Sequence, residues 1–176
     1  MAEFLSAQPL VIKNEGGYCE IPGDKGGETY CGISRNNFPN WPGWQTIDDN
    51  KPLSYNEVID DDNLKSLINQ FYKANFWDKI LGDAIDSQAV AAYLYDFKVN
   101  AGANAVKCVQ RIVGVTVDGG FGNGTLEAVN GYSGDLLSDL HTARCDYYKE
   151  IAQNGSAKFL NGWINRANSM YSVLSA

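Results

Sequence analysis

The chain has 176 residues, 44% hydrophobic and 20% charged, which is enough for one sizeable core or two small lobes and excludes disorder as the default state. No apolar run approaches the roughly 18 residues of a membrane span. The formal charge of −7 argues against nucleic acid or an anionic membrane surface as the main partner, and leaves a neutral or weakly charged polymer such as a polysaccharide open.

The opening stretch "MAEFLSAQPLVIKNEGG" has an early Glu3 and no basic leader, and Pro9 and polar residues interrupt its apolar positions. It does not read as a signal peptide. Phe4, Leu5, Leu10, Val11 and Ile12 predict a short helix running up to Glu15, which Gly16 and Gly17 then terminate. Residues 18–33 are turn-rich around "PGDKGG" and predict a small β-hairpin. Residues 36–53, with Pro39, Pro42, Pro52, Trp41 and Trp44, predict an ordered loop.

Ser54 followed by Glu57 has the spacing of a capping box. Leu64, Leu67, Ile68, Phe71 and Tyr72 continue at helical spacing, so one helix is predicted over 55–74. Further helices are predicted over about 87–98, over "NAVKCVQRIVG" up to Gly114, and around Leu126 to Val129, with "VTVDGGFGNGT" as a connector. Two more follow, one from Leu136 to Ile151 and one from Phe159 to Leu174, separated by Gly155. The expected fold class is mainly α, of the lysozyme-like α+β type: a helical bundle with one small N-terminal β-hairpin.

A helix that delivers one carboxyl to a glycine-rich hairpin suits cleavage of a glycosidic bond. The leaving oxygen must be protonated, and burial can hold a Glu side chain protonated up to about pH 6. Glu15 is the candidate general acid. In the single-displacement scheme a second polar group holds water on the opposite sugar face, about 6.5–9.5 Å from the acid. Asp24 and Thr29, on the predicted hairpin, are the candidates.

"NEGGY", "GDKGGETYCGIS", "FYKANFWDKI", "YDFKVNAG", "VDGGFGNGT" and "KFLNGWINR", in that order, resemble glycoside hydrolase family 108 over about residues 4–172. The resemblance implies a lysozyme-like N-terminal region, set here at 1–98, and a C-terminal peptidoglycan-binding-like helical region over 99–176, packed together as one globular unit. It implies an N-acetylmuramidase whose catalytic glutamate, in the E-G-G-Y motif, falls on Glu15. The order Glu15, Asp24, Thr29 also resembles phage-type lysozymes, with Thr29 one residue closer to Asp24 than in those enzymes. Asn123 stands where the family usually has Pro.

Each residue also has a plainer reading. Glu15 could be a solvated helix-end charge, Asp24 a turn residue, Thr29 strand filler. Asp96, inside an apolar helix, reads best as a buried hydrogen-bonded partner. Asn100 is a candidate for binding an N-acetyl group. Tyr18 and Tyr30, neighbours of Glu15 and Thr29, are the candidate sugar-binding aromatics, whereas Trp41, Trp44, Trp77 and Trp163 read as core or loop anchors. Cys19 and Cys31 bracket the hairpin, and Cys108 and Cys145 sit in helical patterns; disulfides and free thiols are both open. His141 and Cys145, four apart on a helix, permit a Cys–His peptidase, but no orienting Asn or Asp accompanies them.

The alternatives to a muramidase are a lytic transglycosylase and a non-catalytic wall-binding module. No cofactor or metal is called for. The expected partners are peptidoglycan glycan strands, without nucleic acid or a membrane span, and a monomer is the expected state. Synthesis in the cytoplasm is expected, with action in the periplasm or cell wall after phage lysis or non-classical export.

Overall fold

The structure is a computed structural model, and it describes residues 1–20 and 27–176. The chain forms eight α-helices among the described residues: α1 Phe4–Ile12, α2 Gly43–Asp49, α3 Asp62–Tyr72, α4 Gln88–Ala101, α5 Ala103–Val113, α6 Asn123–Asn130, α7 Leu136–Ile151 and α8 Leu160–Leu174. Three two-residue strands, β1 Tyr18–Cys19, β2 Thr29–Tyr30 and β3 Ile33–Ser34, make an antiparallel sheet in that order. This is a mainly helical, lysozyme-like α+β fold. Two compact units are distinguishable, one of Met1–Gln8 with Ala74–Ala176 and one of Pro9–Lys73.

In the first unit α4 is the central helix. Every residue from Val90 to Phe97 is buried, so this stretch of the helix has no solvent face and must be surrounded. It packs against α5, α7 and α8. Ser87 caps it by accepting from Val90 N, and Asp135 caps α7 by accepting from Ser138 N. Asp96 is fully buried and ion-paired to Arg144 of α7 at 2.7 Å and Arg166 of α8 at 2.8 Å. The Arg144 guanidinium also lies over the rings of Tyr93, Phe97 and Tyr148. Asp96 is thus the buried structural partner that the sequence suggests.

Gln110 of α5, 1% exposed, organises the connector "VTVDGGFGNGT". Its Oε1 accepts from Asp118 N and Gly119 N, and its Nε2 donates to Asp118 Oδ1, Gly120 O and Thr125 Oγ1. One amide side chain thereby satisfies a whole turn of backbone, a role that no periodicity announces.

The second unit departs from the sequence reading twice. Residues 36–53 are not all loop: α2 forms at Gly43–Asp49 because Trp44 and Ile47, three apart, both find core positions. Trp41 and Trp44 meet edge to face at 5.3 Å, and Trp41 reaches Phe71 of α3. The helix expected over 55–74 begins only at Asp62, capped by Asp61 accepting from Leu64 N. Upstream, the chain bonds to β1 instead: Tyr18 N donates to Glu57 O, and Asn56 N to Tyr18 O. Glu57 does reach back to Ser54 N at 2.7 Å, as in a capping box. That pair closes a turn, with Asn56 at φ +63°, and no helix follows it.

Candidate active site

Glu15 sits one turn beyond α1, its backbone N–H donating to Ile12 O at 3.0 Å, and its side chain is half-buried. What it meets is the β2–β3 turn. Tyr30 pairs with Ile33, so only Cys31 and Gly32 lie between the strands, with φ +46° and +77°. Two left-handed residues make the type I′ turn that two-residue hairpins favour. Gly32 answers two demands at once. Besides its φ, a Cβ there would lie 2.8 Å from Glu15 Oε2 and 2.5 Å from Tyr72 Oη. Tyr72, the last residue of α3, donates that hydroxyl to Cys31 O at 2.8 Å. The turn, the carboxylate and the phenol therefore crowd one point. Burial, and then the Glu15 charge, push the Cys31 thiol up to about 11.

Gly17 is also a close-approach position, for the chain and not for a ligand. Its N–H donates to Asn56 Oδ1 at 2.8 Å, and a side chain there would run into the Glu57 carbonyl.

Thr29 pairs with Cys19 and Ser34, and all three are half-buried, whereas Tyr18, Tyr30 and Ile33 occupy the buried face. Alternation therefore turns Thr29 to the accessible side. Its Oγ1 donates to Gly27 O at 3.3 Å. Asp24 lies outside the described residues. The two tyrosines are not exposed platforms. Tyr30 is 1% exposed and its hydroxyl accepts from Ile59 N; Tyr18 is 6% exposed and donates to Glu20 Oε2 at 3.0 Å. As register partners on the covered face they hold the sheet, and neither offers a ring face to a sugar. Burial, then Glu20 and Glu28, push the Tyr18 phenol up to about 12.

Asn100 belongs to the first unit, where its Oδ1 accepts from Tyr148 Oη at 2.6 Å. Of the four tryptophans, Trp41, Trp44 and Trp77 are buried, and Trp163 stacks on Tyr148 at 5.4 Å. All four cysteines are free thiols.

A charge network that sequence reading missed brackets the hairpin. Glu28, one residue before β2, meets Arg35 at 2.5 Å and Lys51 at 2.6 Å, and both cations also meet Asp48 of α2. Burial pushes the Glu28 carboxyl up, but bonds from Lys51 and Arg35 outweigh it and hold it below the ordinary carboxylate range. Bonds from Arg35 and Lys51 lower Asp48 as well. The Glu28–Arg35 spacing is the one available signal, since these residues flank the strands.

His141 Nδ1 lies 3.0 Å from Tyr93 Oη and 3.9 Å from Cys145 Sγ, and its ring stacks on Tyr171. Burial raises the Cys145 thiol and, with Arg144, lowers His141. That combination leaves a protonated thiol beside a neutral ring, the reverse of an activated nucleophile. Among the described residues no group of His, Cys, Asp and Glu could hold a metal ion. No helix among them is long and apolar enough to cross a membrane.

A small antiparallel sheet in a helical fold, with a carboxyl set at the hairpin turn, places the protein in the lysozyme-like class. The chain belongs to the glycosyl hydrolase 108 family, whose model matches residues 9–102. A second family model, described as "Predicted Peptidoglycan domain", matches residues 104–168. Among solved structures the chain is similar to SagA of Brucella abortus, at 32% identity over 97% of this chain and 92% of that one, with a TM-score of 0.69. No curated protein matches it. These findings support a glycosidase acting on peptidoglycan.

Proposed function

We propose that the protein is an N-acetylmuramidase that cleaves the β-1,4 bond between N-acetylmuramic acid and N-acetylglucosamine, with Glu15 as the general acid. One observation carries the residue assignment: the Glu15 carboxylate stands against Gly32 at the β2–β3 turn, beside the Tyr72 hydroxyl. Glu15 protonates the glycosidic oxygen as the bond to the anomeric carbon breaks. Water attacks that carbon from the opposite face, in a single displacement, and gives up its proton to solvent as the new hydroxyl forms. Thr29, on the accessible face of the hairpin, and Asp24 are assigned to orienting this water.

The same acid would serve a lytic transglycosylase, in which the muramic acid 6-hydroxyl replaces water. A hydroxyl side chain on the open face of the hairpin favours water. The protein would act in the periplasm or cell wall, where its substrate lies.

The test is reducing-end release from purified peptidoglycan by wild type and Glu15→Gln at matched concentration, with mass spectrometry of the products. General acid catalysis is typically worth about 10² to 10⁴ in rate, and a loss of that order is expected. Reducing-end muropeptides are expected from the wild type, and 1,6-anhydro products would shift the reading to a transglycosylase. Near wild-type turnover by Glu15→Gln would remove Glu15 from the role.

A further inference from the structure

Tyr18 and Tyr30 being covered leaves open which aromatic ring meets the substrate. Tyr55 is 79% exposed. Single exposed aromatics are ordinary, but the backbone carrying this one is held on two sides. Glu57 N donates to Ser54 O at 3.0 Å and Ser54 N to Glu57 Oε2, closing a turn with Tyr55 at its corner and Asn56 at positive φ. That turn is fastened to the residues following the candidate acid. Gly17 N donates to Asn56 Oδ1, Asn56 N to Tyr18 O, and Tyr18 N to Glu57 O. The turn therefore moves with the Glu15–Tyr18 segment.

Tyr55 also lines a pocket of about 420 Å³, together with Tyr18, Glu20, Lys51, Pro52 and Leu53. The pocket is large enough for one amino-sugar residue. Its chemistry is mixed in the way a sugar is. Glu20 accepts from Tyr18 through Oε2, and its Oε1 has no protein donor among the described residues. Lys51 donates to Asp48 at 2.8 Å and is ion-paired with Glu28 at 2.6 Å, and its ammonium has three N–H groups. Pro52, Leu53 and the tyrosine ring are apolar surfaces.

We propose that Tyr55, with Glu20 and Lys51, forms a subsite that binds one N-acetylhexosamine of the glycan strand. The apolar C–H face of the pyranose stacks on the Tyr55 ring. Glu20 accepts from a sugar hydroxyl or the acetamido N–H, and Lys51 donates to a ring hydroxyl. The proposal rests on the glycosidase reading and adds to it where the strand is gripped.

The test uses the full chain carrying Glu15→Gln, so that binding is read without turnover, and the N-acetylglucosamine tetramer as probe. Loss of a stacking aromatic should raise its dissociation constant about three- to tenfold in Tyr55→Ala. Tyr55→Phe should restore affinity to within about twofold, since the ring face is what the sugar uses. Melting temperature should be unchanged in both, because the side chain is exposed. In the active chain Tyr55→Ala should raise KM while leaving kcat close to wild type.

Parent-like affinity in Tyr55→Ala overturns the subsite, as does an absence of tetramer binding by the parent. So does a loss confined to a free stem peptide with tetramer binding intact, which would make the pocket a peptide site. Activity of Glu15→Gln against wild type is read separately. A fully active Glu15→Gln would end the acid assignment, whereas unaltered tetramer binding in Tyr55→Ala would end only the platform.

Discussion

Glu15 Oε2 lies 2.8 Å from the point where a Cβ on Gly32 would stand, so the carboxylate rests against a residue that must have no side chain. Replacing Gly32 with Ala introduces two faults. The φ of +77° strains an L residue by about 1–2 kcal/mol, and the new methyl displaces Glu15 and Tyr72. Gly32→Ala is expected to lose stability by at least that amount and to lose most of its wall-cleaving rate in the fraction that folds. Denaturant melts and reducing-end assays on one preparation measure both. A folded Gly32→Ala with normal turnover would show that Glu15 does not need this position.

The same closeness predicts a thiol titration. Burial is the larger reason that Cys31 is pushed up to about 11, and the Glu15 charge is the second. Glu15→Gln removes only the second, so Cys31 should ionise at a lower pH than in wild type while staying above an ordinary thiol. Thiolate absorbance against pH, with Cys31→Ser as the blank, measures the shift. An identical Cys31 titration would mean that the two side chains do not interact in solution.

Glu28 sets an acid-side limit on stability. Its folded pKa is lowered, so the stability it contributes is complete above the unfolded value of about 4.5 and is lost as pH falls through the folded value. Melting temperature should therefore be level from pH 7 down to about 4.5 and decline below it. Glu28→Gln should melt lower at neutral pH and show a shallower acid decline, because Arg35, Lys51 and Asp48 then keep only each other. An unchanged acid profile in Glu28→Gln would place the titrating group elsewhere.

Asp96 should prove structural. Removing one partner of a buried ion pair typically costs about 3–5 kcal/mol, and here it leaves Arg144, fully buried, without its carboxylate. Asp96→Ala is expected to be insoluble or to melt far below wild type, and Asp96→Asn to be destabilised but active in proportion to its folded fraction. A stable Asp96→Asn with no activity would instead implicate Asp96 in chemistry.

Cys145→Ser should cleave peptidoglycan at the wild-type rate. Burial holds this thiol protonated, and its neighbour His141 is engaged by Tyr93 and Tyr171. Loss of all activity in a folded Cys145→Ser would reopen the peptidase reading.

Helices α1, α4, α5, α7 and α8 were legible in the sequence because each carries its own local evidence: apolar residues at helical spacing, a continuous apolar run in α4, a terminating glycine such as Gly114. Glu15 at a helix end before two glycines was legible for the same reason, since helix end and glycine pair are local. One hairpin over 18–33 was legible around "PGDKGG", but the third strand and the tight turn before it were not, and only pairing revealed that Cys31 joins Gly32 in the left-handed region. Alternation along β1 and β2 puts Tyr18 and Tyr30 on one face; it does not say which face the rest of the unit covers, and the covered one is theirs. Residues 54–61 carry the pattern of a helix start, yet the unpaired backbone of β1 takes Asn56 and Glu57 as partners, and hydrogen bonds across nearly forty positions outweigh a local preference worth tenths of a kcal/mol. Glu28 with Lys51, Gln110 with the 118–120 turn, and the exposure of Tyr55 beside its pocket are likewise relations between distant or folded-back residues. Local periodicity has no term for them, so only the tertiary structure decided them.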